Sequence, residues 1–286
     1  MTVRILTHLQ ALVGERHPAT APHHLVAVED YLAVQFETMG YCVDRQPFEA
    51  LDGTYRNVVA TQHPPSGSSP LPALLIGAHY DTVQGSPGAD DNASALAVLL
   101  ETAQALATVS LNRPIQFVAF GLEEQGLLGS SAYVAALRQQ HDMLAGAIIL
   151  ECVGYARSEE GTQQIPPGVP VAVPKVGNFL AIVGNQASQI LTMMVEQAMR
   201  PHVPVVPLVV PGNGEILPDT RRSDHTAFWD QGFPAVMLTD TANFRNPHYH
   251  QPSDTLDTLN LDFMGQVLIG VIAAATRLAG IGGHAA

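Results

Sequence analysis

The chain has 286 residues, with 13 Lys+Arg against 26 Asp+Glu for a formal charge of −13, and no stretch gathers its cations into a patch. That balance excludes a nucleic-acid backbone or an anionic membrane surface as an electrostatic partner. With 14% charged and 47% apolar residues, and 24 Gly and 21 Pro, it is neither a disordered polyampholyte nor low-complexity, and its length suits one large α/β domain over 1–286.

The chain starts Met1-Thr-Val-Arg-Ile-Leu and soon meets His and Gln, without the basic-then-apolar run of a signal peptide, which predicts a cytoplasmic address. From Pro22 to Met39 the residues Leu25, Val28, Tyr31, Leu32, Val34 and Phe36 recur at three- and four-residue steps, the period of an amphipathic helix that Gly40 ends. Tyr41–Phe48 and Arg56–Thr61 alternate around the turn signal Asp52-Gly53, a predicted hairpin. Gln62–Pro72 reads as a connector.

Four short, nearly continuous apolar runs follow: Ala73–Ala78, Ile115–Phe120, Ala145–Leu150 and Ala235–Leu238. Such runs suit strands buried on both faces. Helical stretches at Ala93–Thr108 and Ser130–Gln140 separate the first three. This β-α-β-α-β rhythm predicts a three-layer α/β/α sandwich with a mixed, mostly parallel central sheet. Tyr155–Asn178 has no clean period and reads as a long surface excursion of the kind that forms lids or rims. Asn185–Arg200 reads as a helix with Ile190, Leu191, Met194, Val195 and Ala198 on one face, and the apolar stretch Met264–Gly283 as a buried closing helix rather than a membrane span.

In parallel sheets the residues just past the carboxyl ends of the strands line the ligand crevice. Here those residues are His79-Tyr80-Asp81, Asp90-Asp91-Asn92 opening a helix, Glu123-Glu124, Glu151, and His248-Tyr249-His250. Isolated charges there are costly to desolvate unless paired or bound to metal. Imidazole with carboxylate suits zinc first, with cobalt or manganese as substitutes. The two cysteines, Cys42 and Cys152, supply neither a disulfide framework nor a multi-thiolate site. The H-E-x-x-H and G-x-S-x-G patterns are absent.

Six ordered blocks then carry a resemblance: G-A-H-Y-D-T (Gly77–Thr82), G-A-D-D-N-A-S (Gly88–Ser94), F-G-L-E-E-Q-G-L-L-G-S (Phe120–Ser130), L-E-C-V-G (Leu150–Gly154), R-S-D-H-T-A-F-W (Arg222–Trp229) and N-P-H-Y-H-Q-P-S-D-T (Asn246–Thr255). With them the chain resembles the M28 zinc peptidases, whose fold is the zinc-dependent exopeptidase sandwich and which include di-zinc aminopeptidases. The resemblance implies that Asp91 bridges two zinc ions, with His79 and Glu151 completing one site and Glu124 with His250 the other. It implies that Glu123 is the general base, that Asp81 orients the His79 imidazole, and that Tyr249 stabilises the oxyanion, though Tyr249 has packing as a rival role. Such a pair of ions, about 3.5–4 Å apart, would acidify a shared water and polarise a carbonyl.

The family's Tyr-His-x-Pro pattern selects His250 over His248. His225 is either a rim residue or part of a helix start capped by Ser223 or Asp224, and Tyr80 is a weak candidate for substrate contact. Asp90 and Asn92 shape the turn. His8, His17, His23, His24, His63, His141, His202 and His284 read as surface residues. Glu151 departs from the Asp of typical di-zinc aminopeptidases, leaving room for different substrate-end recognition.

Three functions follow as expectations. The first is a zinc exopeptidase cleaving the N-terminal bond of a peptide or aminoacyl substrate; a carboxypeptidase-type relative is its variant. The second is a single-zinc glutaminyl cyclase of the same architecture, which metal counting separates. The third is a non-catalytic scaffold, opposed by the intact set of five ligands. Oligomeric state is not legible.

Overall fold

Along the central strands, successive side chains alternate between two apolar cores, and this alternation sets the layers. The computed structural model describes residues 2–62 and 71–281. In chain order the elements are α1 (Thr2–Leu12), α2 (Pro22–Thr38), β1 (Cys42–Ala50), β2 (Gly53–Gln62), β3 (Ala73–His79), α3 (Ala95–Leu106), β4 (Ile115–Phe120), α4 (Leu128–Gln140), β5 (Leu144–Glu151), β6 (Leu180–Asn185), α5 (Gln189–Met199), β7 (Val205–Val210), α6 (His225–Asp230), β8 (Ala235–Thr239) and α7 (Leu261–Ala279). One eight-stranded sheet runs β1-β2-β4-β3-β5-β8-β6-β7. Strands β4, β3, β5 and β8 are mutually parallel, while β1, β2 and the β6–β7 pair join antiparallel to their neighbours on the outside.

Ile115, Phe117 and Ala119 of β4 enter the core built with α1, α2, α3, α5 and α7, whereas Val118 and Phe120 enter the opposite core with α4 and α6. Likewise Ile148 and Leu150 of β5 face the first core, and Ala147 and Ile149 the second. Helices therefore cover both faces of a mixed sheet, the expected three-layer sandwich.

Several expectations shift. The hairpin turn is Leu51-Asp52 rather than Asp52-Gly53, because Ala50 pairs with Gly53 and both turn residues have positive φ, 49° and 59°. That is the backbone a tight two-residue hairpin loop requires. Strands β6 and β7 and helix α1 were not legible, and the helix expected from Asn185 starts at Gln189 after a 3₁₀ turn. On α5, Leu191, Val195 and Ala198 are buried as expected, but Ile190 is 75% exposed. Helix α7 is long and apolar enough to cross a membrane by length and composition. Its Phe263, Met264, Val267, Val271 and Ala275 are buried in the core. Residues 63–70 of the connector, His63, and His284 with the rest of 282–286 lie outside the described residues. His8 corrects the surface reading of the histidines: it is buried, with Nδ1 2.7 Å from the Tyr31 hydroxyl and Nε2 3.2 Å from Glu101 Oε1.

Candidate active site

The site lies at the carboxyl ends of β3, β4 and β5, where each strand delivers a polar side chain to one rim. His79 ends β3 and Glu151 ends β5; Glu123 and Glu124 follow β4 in a turn, and Asp91 lies in an irregular helical turn, Ala89–Ser94, ahead of α3. His250 comes from the segment after β8 and has φ 60°.

Asp91 is the hinge of the arrangement. Its Oδ1 is 3.3 Å from His79 Nε2, which is also 3.4 Å from Glu151 Oε2. Its Oδ2 is 3.0 Å from His250 Nε2, which in turn is 3.1 Å from Glu124 Oε1. Both Asp91 oxygens, both Nε2 atoms and Glu124 Oε1 are buried without a hydrogen-bond partner. The donor atoms of His79, Asp91 and Glu124, and those of His79, Glu123 and Glu151, lie within 4.8 Å of one another, so each set could hold a metal ion. Unpaired buried lone pairs converging from several strands fit a cation.

Two carboxylates fix the backbone of these loops in the same way. Asp81 accepts the N–H groups of Glu123 at 2.9 Å and Glu124 at 3.1 Å. Asp254 accepts those of Asp90 at 2.9 Å and Asp91 at 3.1 Å. A fixed carboxylate thus sets the direction in which each ligand-bearing turn points its side chains. Asp81 also neighbours His79, whose Nδ1 is 3.2 Å from the Asp81 carbonyl and 3.6 Å from its Oδ1. The imidazole is therefore turned mainly by the main-chain oxygen, while the carboxylate is committed to the Glu123-Glu124 turn. Asn92 links the Asp91 turn to the end of β5, donating to Leu150 O and accepting from Cys152 N–H, each at 3.0 Å. Asp90 accepts from Gly154 N–H at 2.8 Å and Asn246 at 2.7 Å.

Burial governs the charges. It pushes Glu123 well above the usual carboxylate range, against the pull of His79 and with help from Glu151, Glu124 and Asp224. Glu124 is raised to about 7, by burial and then by Asp91. Burial opposes ionisation of Asp91 too, but His250 and His79 hold it well below the usual range. Burial likewise disfavours charge on the imidazoles, yet the acids override it: Glu151 and Glu123 hold His79 well above its ordinary value, and Asp91 and Glu124 raise His250 to about 10.

Sequence reasoning missed the partners from the R-S-D-H block. Ser223 donates its hydroxyl to Glu151 Oε2 at 2.7 Å, steadying the long Glu arm. Both carboxyl oxygens of Asp224 are buried without a partner, and burial raises it to about 7. The block itself was the available signal, but it does not say which side of the helix start faces inward.

His225 is not a rim residue: it begins α6, fully buried, with Nε2 2.8 Å from Thr220 O and its ring edge-on to Trp229. Tyr80 is 1% exposed and donates its hydroxyl to Arg56 O at 2.8 Å, so it packs rather than meets a ligand. His248 lies apart from the cluster, with Nδ1 2.9 Å from Ser253 Oγ. Tyr249 stacks on His250 with ring centroids 3.8 Å apart, and its hydroxyl accepts from Arg222 Nη2 at 3.1 Å. Burial raises the phenol, which stays neutral and leaves its own O–H free to donate.

Beside Glu151 and Tyr249 opens a cleft walled by Val183, Leu208 and Met237 of the sheet and by Val169 and Val171 of the 155–178 excursion. Apolar walls with a few polar groups at one end are the usual form of a small-ligand site. The excursion has no helix or strand of its own; Arg245 ties it down, donating from Nε to Gln163 Oε1 at 2.8 Å, with its guanidinium 4.5 Å over the Phe179 ring.

The family model described as peptidase family M28 matches residues 57–275. An uncharacterized Escherichia coli protein, YfbL, is 35% identical over 95% of this chain and 84% of its own length. Among solved structures, LapB from Legionella pneumophila superposes with a TM-score of 0.77 at 24% identity, covering 98% of this chain and 72% of its own. BSAP, a zinc aminopeptidase from Bacillus subtilis, superposes with a TM-score of 0.60 at 25% identity over 82% of this chain; the chain spans about half, 53%, of that enzyme. With the family model matching most of the chain and the buried donors gathered on one rim, this chain belongs to peptidase family M28 and is a hydrolase.

Proposed function

We propose that this chain is a zinc-dependent exopeptidase that hydrolyses the N-terminal bond of peptides and holds two zinc ions. The observation that carries the reading is the division at Asp91, one oxygen toward His79 and Glu151 and the other toward His250 and Glu124, with the Nε2 and Asp91 donor atoms unpaired. His79, Asp91 and Glu151 would hold one ion, and Asp91, Glu124 and His250 the other. Nitrogen and oxygen donors suit zinc, and cobalt or manganese could substitute. When bound, zinc acidifies water and polarises the scissile carbonyl.

The chain's own residues supply the rest. Glu123 adjoins the His79 and Glu151 donors. Its carboxylate takes a proton from the attacking water and passes it to the nitrogen of the breaking C–N bond, which leaves as an amine. Its high proton affinity suits it to hold that proton between the two transfers. The free Tyr249 O–H donates to the carbonyl oxygen as negative charge builds on it. Asp81 keeps Glu123 and Glu124 in register. The apolar cleft beside Glu151 and Tyr249 supports a substrate whose terminal residue carries an apolar side chain.

Elemental analysis combined with a panel of N-terminally free and blocked peptides tests this. The expected result is two zinc ions per chain, activity lost on chelation and restored by zinc, and hydrolysis confined to free N-termini. One ion per chain with cyclisation of N-terminal glutamine would replace the reading with a glutaminyl cyclase. Release of C-terminal residues from blocked peptides would replace it with a carboxypeptidase.

A further inference from the structure

Arg16 sits in the loop between α1 and α2, upstream of residues 57–275 that match the family model, and it is fully buried. Its guanidinium donates to five backbone carbonyls: Leu12 O and Gly14 O at 2.7 Å, Tyr80 O at 2.7 Å, and Pro87 O and Gly88 O at 3.0 Å. Its own N–H donates to Thr82 Oγ1 at 2.8 Å. All of these partners are neutral. A buried cation without a hydrogen-bonded anion is expensive, and a hydrocarbon side chain would fill the volume more cheaply.

The placement explains the charge. Tyr80 and Thr82 begin, and Pro87 and Gly88 end, the single loop 80–88 that connects His79 to the turn holding Asp91. One planar group therefore joins the two ends of that loop. The packing there leaves no slack: Gly88 has φ +61°, and a Cβ on it would lie 2.4 Å from Asp91 O and 2.7 Å from Arg16 Nη2. Behind the loop stand Asp91, Asp81, Asp254 and Glu124, whose field attracts the guanidinium against its desolvation and leaves it charged at neutral pH. In return the cation offsets the repulsion among those acids. Two of them, Asp81 and Asp254, accept the paired N–H groups of the ligand-bearing turns.

We propose that Arg16 is a positioning residue of the metal centre: by tying together the two ends of the loop between His79 and Asp91, it sets the separation of those two ligands and thereby the zinc affinity. This rests on the metallopeptidase reading above. Lysine keeps the charge, but its three donors on one nitrogen cannot span both ends of the loop as the planar fork does.

The test compares Arg16→Lys and Arg16→Met with the wild-type chain, measuring zinc affinity by chelator competition and folding by circular dichroism and thermal unfolding of the metal-free form. Groups that orient ligands typically change metal affinity by roughly 10–100-fold. The expected result is a folded Arg16→Lys chain whose zinc dissociation constant rises at least tenfold, and a larger rise in Arg16→Met. A folded variant with wild-type zinc affinity overturns the proposal. Should neither variant fold, hydrogen exchange of the wild-type chain decides: zinc should slow exchange in residues 12–18 together with 79–92, and slowing confined to 79–92 overturns it. A wild-type chain that binds no zinc refutes the metallopeptidase reading itself, whereas zinc binding indifferent to Arg16 refutes only this inference.

Discussion

Replacing Glu123 with Gln separates catalysis from metal binding. The side chain is 7% exposed, and the substitution keeps its shape while removing the proton acceptor. Its main-chain N–H stays bonded to Asp81 at 2.9 Å, and so does that of Glu124 at 3.1 Å, so the neighbouring turn keeps its direction. Loss of a positioned base costs roughly 10²–10⁴-fold in rate, or about 3–5 kcal/mol of transition-state stabilisation. Burial already disfavours the charged form of Glu123, so a neutral amide there adds no desolvation cost. The expected result is thus a drop in kcat of at least 100-fold, with zinc content and unfolding temperature held. Steady-state kinetics on a leucyl peptide, elemental analysis of the same sample and a thermal melt measure all three. A Glu123→Gln chain retaining more than a tenth of wild-type kcat at full zinc occupancy would falsify the assignment of the base.

Ser223→Ala removes the 2.7 Å hydrogen bond to Glu151 Oε2; a bond to a charged acceptor is worth about 1.5–3 kcal/mol, so zinc affinity should fall roughly 10–100-fold by chelator competition, and an unchanged affinity would show that the long Glu arm needs no support. In the metal-free chain Asp224, Asp254 and Glu124 each hold their proton up to about 7, so the folded state binds more protons than the unfolded state between pH 4 and 7, and stability falls as pH rises through that window. His250, raised to about 10, extends the fall above pH 6.5, whereas Asp91, held low, matters only below the ordinary carboxylate range. From pH 5 to pH 7 Asp224 alone accounts for a loss of ~3 kcal/mol, and melts of chelator-treated protein should drop by about 10 °C from pH 5 to pH 8, a trend zinc should oppose; a melting temperature that rises with pH without metal would contradict the burial argument. Met237→Trp narrows the apolar cleft and should lower kcat/KM for leucyl substrates by roughly 10-fold or more, given about 1.5–3 kcal/mol for burying such a side chain, while alanyl substrates lose far less; equal losses on both would place the side-chain pocket elsewhere.

What the sequence determined by itself is the set of buried strands and the polar residues that follow them. Runs such as Ile115–Phe120 have too little polar surface to lie anywhere but inside a covered sheet, and the chain leaves each of them at the crevice end with His79, Glu123-Glu124 or Glu151. Those identities are local, and a local pattern suffices to read them. Strand β7 escaped because Val205–Val210 contains a proline and sits at the sheet edge, where half-exposed residues blur the apolar run. Only the tertiary structure decided which polar residues converge. Asp254 and Asp81 look like turn aspartates until their two oxygens are seen on consecutive N–H groups of loops 163 and 42 residues away. Arg16, in a segment with no motif, gains its place from contacts 64 to 72 residues distant. His225 and Tyr80 were drawn toward the site by their positions within motifs, and packing turned both into the interior. The physical reason is the same in each case: residue type fixes what a side chain can bond to, but burial, and with it the cost of an unpaired charge, exists only once distant segments have closed over it.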